Sequence, residues 1–250
     1  MCGVCGCQQL IPLATGEPRR ANTARVGLSQ EPESRRVAVE RSLLEHNRTH
    51  AASLAKQLAA HGIDAIGLLG GPGAGKTALL EATFEAFGRE AAGFEAVIEG
   101  DCATDFDARR IAAKGVRVAQ VATGSLCHLD AHLVEHALHD MNLSGVSRLW
   151  IENVGNLVCP APFPCGESRR VVVISVAEGD DKPEKYPAMI AGADLLVISK
   201  ADLLPYVDFD VARCIAGARK ARPDLPAVVV SARSGAGLDS WLAWVRGEGA

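Results

Sequence analysis

Residues 70–77 read GGPGAGKT, and this stretch decides the fold. It matches G-x-x-x-x-G-K-[ST], a loop whose backbone N–H groups cradle the phosphates of a nucleotide. The loop follows an apolar run, IDAIGLL at 63–69, and precedes a helix-forming run, ALLEATFEAF at 78–87. Because the motif stands between a strand and a helix, it predicts a nucleoside triphosphate site rather than a glycine-rich turn without a ligand.

The residues of this loop divide the work of holding a triphosphate. Lys76 carries the positive charge that neutralises the β and γ phosphates, and Thr77 offers a hydroxyl to Mg²⁺. The helix that follows directs its N-terminal dipole at the phosphates. The nucleotide-binding residues expected in this loop are Gly70, Gly71, Pro72, Gly73, Ala74, Gly75, Lys76 and Thr77.

Seven short apolar runs alternate with helical patterns through most of the chain. Strands separated by helices form βαβ units, so an α/β fold is predicted: a P-loop NTPase with a mainly parallel sheet flanked by helices on both faces. An amphipathic helix is predicted over 37–61. The predicted strands are 63–69, 95–100, 117–122, 148–153, 171–176, 194–200 and 227–232.

Composition divides the chain into three parts. Residues 1–7, MCGVCGC, hold three cysteines and are expected to bind a metal. Residues 8–35 mix Pro, Gly, Ser, Thr and charge without apolar periodicity, which is typical of a flexible linker. Residues 36–250 are expected to form the nucleotide-binding domain with its N-terminal helix.

Net charge and hydropathy limit the classes of partner and the cellular location that are expected. The net charge is −4 and the pI is near 6.0, so no global field favours nucleic acid or a membrane surface. No run of 18 apolar residues occurs and the start does not resemble a signal peptide, so no membrane span and a cytoplasmic location are predicted. In a reducing compartment, the eight cysteines are expected to be core thiols, metal ligands or reactive groups.

A tetrapeptide after the sixth run bears on the identity of the base. GTPases use N-K-x-D, whose aspartate accepts hydrogen bonds from the N1 and N2 donors of guanine. Here the tetrapeptide runs from Ser199 through Lys200 to Asp202. GTP is therefore expected rather than ATP, with weaker guanine binding because Ser199 lacks an amide donor. Ser231 and Ala232 are expected to form a second loop against the base.

Two acidic strand ends are expected to face the phosphate loop. Asp101 follows EAVIEG. Glu152 begins the sequence ENVG, which ends at Gly155 and occupies the place where GTPases carry a D-x-x-G phosphate sensor. The carboxyl ends of parallel strands meet at the ligand-binding edge of a sheet, where a Mg²⁺ ligand and a γ-phosphate sensor belong. The expected catalytic residues are Lys76, Thr77, Asp101 and Glu152, with Thr77 and Asp101 as Mg²⁺ ligands.

Asp105 and Asp107 follow the first of these strand ends. They are interpreted equally well as caps of the helix DARRIAAKG or as catalytic groups in a loop that moves with the nucleotide.

Soft metal ligands recur beside the predicted nucleotide-sensing segments. Cys127 and His128 stand in GSLCHLDAHL, and Cys159 stands in GNLVCPAP. Two thiolates and an imidazole form a candidate site for a soft metal that lacks a fourth ligand; the alternative for each residue is a structural role. Three further histidines, at 132, 136 and 139, share one face of a helix; such a face could bind metal, but a solvated polar face is expected there.

Cys2, Cys5 and Cys7 can approach one ion, because the intervening glycines let the backbone wrap tightly. Three thiolates and the terminal amine suit square-planar Ni²⁺, and tetrahedral Zn²⁺ could take the same set.

In order, MCGVCGC, GGPGAGKT, IEGD, TGSLCHLDA, IENVGNLVCPA and ISKADLLPY resemble the nickel-incorporation GTPase family of [NiFe]-hydrogenase maturation, HypB. The resemblance spans residues 36–245 and the terminal motif. It implies a SIMIBI-type G domain that binds GTP and GDP with Mg²⁺, and hydrolysis coupled to nickel transfer. It also implies a nickel site at Cys2, Cys5 and Cys7, and a nickel or zinc site at Cys127, His128 and Cys159.

The same resemblance implies partners: a homodimer promoted by nucleotide or metal, a hydrogenase nickel accessory protein and the hydrogenase large-subunit precursor. Alternatives remain at this stage. A zinc-regulated GTPase serving another nickel enzyme, such as urease, shares these motifs. A kinase or ATPase with incidental cysteines would prefer ATP, which Asp202 argues against. A zinc-binding interaction module would need four clean ligands at the terminus, typically two C-x-x-C pairs, and only three thiols occur there.

Overall fold

The computed structural model describes residues 33–101, 104–124 and 126–248, with side chains from Arg41 onward. The terminal motif with Cys2, Cys5 and Cys7, nearly all of the expected linker, and Cys102 lie outside these ranges. The chain divides into two units, residues 1–38 and 39–250, and every contact below belongs to the second unit.

The sheet has seven strands in the order β3-β2-β4-β1-β5-β6-β7, and all their pairings are parallel. This confirms the predicted fold class. Each strand overlaps a predicted run, although β7 ends three residues earlier than expected. The strands are β1 Asp64–Gly70, β2 Glu95–Asp101, β3 Arg117–Ala122, β4 Arg148–Glu152, β5 Arg169–Ser175, β6 Leu195–Ser199 and β7 Ala227–Val229.

Eight α-helices and a 3₁₀ turn at Ala201–Tyr206 connect or flank the strands of the described ranges. The first helix begins at Glu33, inside the segment expected to be a linker, so the predicted start at residue 37 is wrong by four residues. The helices are α1 Glu33–Ala60, α2 Lys76–Ala92, α3 Phe106–Ala112, α4 Ala131–His139, α5 Lys182–Lys185, α6 Pro187–Ala191, α7 Val211–Ala221 and α8 Leu238–Val245.

Side chains of alternate strand residues form separate cores on the two faces of the sheet. On β1, Ile66 and Leu68 pack on the side covered by α2 and α8. Ala65 packs on the opposite side with α1 and α4, and Leu69 packs there with α6 and α7. The helices therefore cover both faces, as predicted. No helix in the described ranges combines the length and apolarity needed to cross a membrane.

Trp150 on β4 offers a direct test of this packing. It is fully buried between Phe84 and Trp241, and its indole N–H donates to Glu95 at 2.6 Å. Trp150→Ala is expected to lower the free energy of unfolding by about 3–5 kcal/mol, because it leaves a cavity and an unpaired carboxylate oxygen. Urea unfolding followed by circular dichroism measures this loss.

The matched control is Tyr206→Ala, since the Tyr206 side chain is 83% exposed. That variant should change the free energy of unfolding by less than about 0.5 kcal/mol. Equal losses in the two variants would contradict the packing described above.

Candidate nucleotide and metal sites

The phosphate loop joins β1 to α2. Its shape depends on glycine at two positions, one in the loop and one in the segment that packs against it. Gly75, immediately before α2, has a φ of 91°, a left-handed conformation that L side chains rarely adopt. A Cβ on Gly155 would lie 2.9 Å from the Cα of Pro72, so only glycine lets the segment after β4 pass this close to the loop. The glycine pattern therefore serves both the turn and its contact with a neighbouring strand end.

A cleft of about 590 Å³ opens at the carboxyl ends of β1, β2 and β4. Its walls combine backbone donors, three cationic side chains and four carboxylates, which is the mixture that a phosphate with a divalent cation requires. Several expected site residues are brought together here, along with others that the sequence did not single out. The lining residues are Pro72, Gly73, Gly75, Lys76, Thr77, Ala78, Glu99, Gly100, Asp101, Asp107, Arg110, Glu152, Asn153, Val154, Gly155 and Lys200.

Glu152 is tied to the phosphate loop. The hydroxyl of Thr77 donates to its Oε1 at 2.8 Å, whereas its Oε2 is buried without a hydrogen-bond partner. Burial raises the pKa of this carboxyl, and the nearby charge of Lys76 opposes that rise. A buried, half-satisfied carboxylate at a phosphate loop is suited to a cation or to a phosphate-bound water.

Glu99 is a cleft residue that the sequence analysis missed. It pairs in register with Glu152 on the neighbouring parallel strand, so the two carboxyl groups share one face of the sheet. Glu99 is buried and its Oε2 also has no hydrogen-bond partner. Burial, with the charges of Glu152, Asp101 and Asp107, raises the pKa of Glu99 to about 8. The available signal was an acidic residue inside an otherwise apolar buried strand.

These carboxylates fit Mg²⁺. Hard cations take oxygen ligands, and the cleft presents the Thr77 hydroxyl together with the carboxylates of Asp101 and Glu152. The carboxylate of Asp101 is held in place by the backbone N–H of Thr104, which donates to its Oδ1 at 2.7 Å. The buried carboxylate oxygens without partners on Glu99 and Glu152 are what a cation would neutralise.

The two aspartates of the following loop behave differently from each other. Asp105 stands at the N-terminus of α3, but its side chain makes no capping bond and pairs instead with Arg109. Asp107 lines the cleft and binds Arg110 at 2.8 Å. The capping interpretation therefore does not apply to Asp105, and Asp107 belongs to the wall of the cleft.

A second cavity, of about 280 Å³, adjoins the phosphate loop where the base was expected. The Asp202 carboxylate accepts from the buried hydroxyl of Ser231 at 2.6 Å, which fixes its direction. Ser199 contributes in an unforeseen way, because its hydroxyl donates to the Ala74 carbonyl of the phosphate loop at 2.5 Å. The cavity is lined by Gly75, Ala78, Leu79, Ser199, Lys200, Asp202, Leu203, Val230, Ala232 and Arg233.

The expected soft-metal ligands are partly brought together. Cys127 Sγ lies 3.8 Å from His128 Nδ1, and the His128 ring stacks on Phe163 at 4.1 Å between centroids. Burial lowers the pKa of His128, which keeps the imidazole neutral and able to bind a metal. Cys159 is half-buried, but the ligand atoms of these three described residues do not all lie within 4.8 Å of one another.

Asn153 connects the two sites. It follows Glu152, and its Oδ1 accepts from the backbone N–H of Leu129 at 2.9 Å, immediately after Cys127 and His128. The Cys165 thiol donates to the carbonyl of the same Leu129 at 3.3 Å. Burial raises the pKa of Cys165, which favours the structural thiol over a reactive group. Cys214 is likewise buried in the core, and burial raises its pKa to about 12.

The fold and the cleft define the class of the molecule: a phosphate-loop NTPase. The family model described as the CobW/HypB/UreG nucleotide-binding domain matches residues 64–229. The hydrogenase maturation factor HypB of Azotobacter vinelandii is 49% identical over 228 residues, which cover 91% of this chain and 73% of that protein.

Two solved structures are also similar. HypB from Helicobacter pylori in complex with nickel aligns with a TM-score of 0.76 and 34% identity, covering 81% of this chain and 94% of that chain. HypB from Archaeoglobus fulgidus aligns with a TM-score of 0.75 and 37% identity, covering 82% and 98%. The chain therefore belongs to the HypB family of hydrogenase maturation factors, and these relatives favour a hydrogenase over the urease alternative.

Because Glu99 and Glu152 share one buried face, the stability of the protein free of Mg²⁺ and nucleotide is predicted to depend on pH. Between the ordinary pKa of 4.5 and about 8, folded Glu99 retains a proton that the unfolded chain releases. The free energy of unfolding should therefore fall as pH rises through this window. Glu99→Gln removes that contribution, so the variant should gain on the order of 2 kcal/mol relative to wild type between pH 5 and pH 8.

Urea unfolding at several pH values, in the presence of a chelator, measures this difference. Glu90→Gln, which removes an exposed carboxylate of α2, serves as the control and should stay within about 0.5 kcal/mol of wild type. The interpretation fails if the difference between wild type and E99Q is independent of pH.

Proposed function

We propose that this protein is a GTP-hydrolysing metallochaperone that delivers nickel to the large subunit of a [NiFe]-hydrogenase during its maturation. Membership of the HypB family supports the pathway, and the likeness to a HypB structure in complex with nickel supports the cargo. The cleft supports nucleotide hydrolysis, because it combines a phosphate loop with carboxylates that fit a divalent cation.

The hydrolysis of GTP to GDP and phosphate requires positioning more than covalent chemistry. Lys76 and the loop backbone hold the phosphates, and Glu152, anchored by Thr77, is placed to order the attacking water or to sense the γ-phosphate. Thr77 and Asp101 are the residues that would hold Mg²⁺, which when bound offsets the negative charge that develops on the phosphates.

The base cavity supports guanine. Asp202 is oriented by Ser231 and carries carboxylate oxygens able to accept from the adjacent N1 and N2 donors of guanine. Adenine presents an acceptor at N1 and would leave that interaction unmade. Because Ser199 bonds the phosphate loop through its hydroxyl, it links the base cavity to the phosphate site without an amide.

Two metal sites are part of the proposal. Cys2, Cys5 and Cys7, outside the described residues, would acquire nickel. Cys127, His128 and Cys159 would hold nickel or zinc within the nucleotide-binding domain once their ligand atoms are drawn together. Their separation in the structure is consistent with a site whose assembly depends on the nucleotide or on a second subunit.

One observation carries the coupling of nucleotide to metal: the bridge from Asn153 to Leu129. Movement of Glu152 toward or away from a γ-phosphate displaces its neighbour Asn153, and with it the backbone beside Cys127 and His128. Cys159 follows Gly155 by four residues in the segment after β4, so both sides of the metal site would respond to one strand end. Coupling free energies of about 1–3 kcal/mol correspond to roughly 5–150-fold changes in affinity.

The remaining parts of the proposal concern assembly and location. We infer a homodimer promoted by nucleotide or metal, a nickel accessory protein and the hydrogenase large-subunit precursor as partners, and a cytoplasmic location. Residues 1–7 would act as a tethered nickel-acquiring arm, residues 8–32 as the tether, and the rest as the GTPase domain.

Asp202→Asn tests base recognition. The amide replaces an acceptor with a donor, which mismatches the N2 amine of guanine but matches the C2 carbonyl of xanthine. GTP affinity is expected to fall by about 100-fold while xanthosine triphosphate gains affinity, since buried hydrogen bonds to charged groups contribute about 1.5–3 kcal/mol. Fluorescence titration measures both affinities. Asp208→Asn, an exposed neighbour, should leave the preference unchanged; unaltered GTP affinity in D202N would refute a guanine site here.

Asn153→Ala tests the coupling, in a full chain whose Cys2, Cys5 and Cys7 are replaced by Ser. In that parent, nickel affinity should differ by about tenfold between GDP and a non-hydrolysable GTP analogue, and by less than about twofold after Asn153→Ala. Equilibrium dialysis measures the affinities, and GTP binding should persist in the variant.

The control variant is Asn142→Ala, whose side chain bonds only the local Ser144 backbone N–H in the described contacts. A chain lacking residues 1–7 should lose one tight nickel equivalent and keep GTP hydrolysis. Nickel affinity that ignores the nucleotide in the parent would end the coupling proposal, and unchanged nickel stoichiometry after the deletion would end the proposed role of the terminal arm.

A further inference from the structure

Histidines from two helices meet at a surface that the proposed function does not use. His50 on α1 faces His132 and Glu135 on α4, and one ligand atom from each of these residues lies within 4.8 Å of the other two. His50 Nδ1 already stands 3.3 Å from Glu135 Oε2. This histidine cluster, defined as His50, His132 and Glu135, is the one group of three metal-ligating side chains within 4.8 Å among the described residues.

The two helices hold the cluster on a firm frame. Buried Asn47, one turn before His50, accepts from the N–H of Ala131 at 3.0 Å and donates to the Pro164 carbonyl at 2.9 Å. Below it, Leu54 of α1 and Val134 of α4 belong to one buried core. His132 and Glu135 stand three positions apart on α4, which places them on the same side of the helix.

We propose that His50, His132 and Glu135 form a binding site for a divalent first-row transition metal, and that the site binds Zn²⁺ and Ni²⁺. Imidazole nitrogens with one carboxylate oxygen are a donor set suited to these ions and not to Mg²⁺ or Ca²⁺. Metal–ligand bonds of about 2.0–2.2 Å put donor atoms roughly 3–4 Å apart, so the 3.3 Å contact already has the spacing of two ligands on one ion.

Two neighbouring histidines extend the cluster and provide candidates for the fourth position. The His46 ring lies 5.7 Å from that of His50, and the His136 ring lies 4.6 Å from that of His132, between centroids. His132 is exposed, whereas His50 and Glu135 are half-buried. A metal can therefore enter from solvent on the side of His132 and bind the two less exposed ligands. His132, His136 and His139 are exposed, as a solvated face of α4 requires, and the alternative of metal binding gains a ligand, His50, that only the packing of α1 supplies.

This site shares no ligand with the nucleotide cleft or with the cysteine sites, so it stands or falls separately from the proposed function. Bound metal would link α1 to α4, whose first residue comes shortly after Cys127 and His128. A stabilising link between these helices is a consequence that a chance pairing of solvated side chains would not produce.

The test uses the full chain with Cys2, Cys5, Cys7, Cys127 and Cys159 replaced by Ser, so that no ligand thiol contributes. Zn²⁺ and Ni²⁺ alone are titrated calorimetrically, and thermal unfolding is followed with and without metal. One equivalent should bind and raise the Tm. Since losing a mere supporting partner of a ligand costs about 10–100-fold, His50→Ala and His132→Ala should each weaken binding by roughly 100-fold or more and abolish the Tm rise.

Glu135→Gln should weaken binding in the same direction, and His61→Ala, an exposed histidine beyond the end of α1, should change neither quantity. GTP binding and circular dichroism establish that each variant is folded, because none of these residues lines the nucleotide cleft. Absence of a metal equivalent in the parent would overturn the proposal. So would binding that survives His50→Ala, which would indicate chelation by α4 alone, or binding that is lost equally in His61→Ala.

Discussion

The hydrogen bond from Thr77 to Glu152 joins the phosphate loop to the end of β4, and the site is arranged around it. It exists because β4 lies beside β1, which brings a strand end from the middle of the chain next to the loop. The same strand pairs with β2 on its other side and sets Glu99 beside Glu152. Two buried carboxyl groups side by side repel each other when ionised, so the cleft is electrostatically suited to a cation and to the phosphates that the cation accompanies.

From this strand end, polar contacts lead outward to the candidate metal ligands. Asn153 binds the backbone of Leu129, directly after His128, and α4 begins two residues later. Asn47 then fixes the start of α4 to α1. A nucleotide-dependent shift of β4 would thus reach both the Cys127 and His128 pair and the frame of the histidine cluster through contiguous hydrogen bonds. Burial of Asn153 and Asn47 makes these contacts costly to break individually.

Much of the fold was predictable because its signals are local. Glycine, lysine and threonine at fixed spacing define the phosphate loop, and apolar runs between helical patterns define parallel strands. The start of α1 was misplaced, because charged and polar residues are as common in the first turn of a helix as in a linker. The hydrogen bond from Ser199 to the phosphate loop could not be predicted, for a different reason. The acceptor of its hydroxyl is the Ala74 carbonyl, which lies far away in the sequence and is brought near only by the fold.

The sequence by itself determined the α/β class, the seven strands, the phosphate loop and the residue types suited to guanine and to soft metals, because each depends on neighbours along the chain. Tertiary structure decided the strand order, which places Glu99 against Glu152, and the packing of α1 on α4, which brings His50 to His132 and Glu135. These groups lie far apart in the chain. Their proximity follows from how buried faces pack in three dimensions, and a one-dimensional pattern carries no record of it.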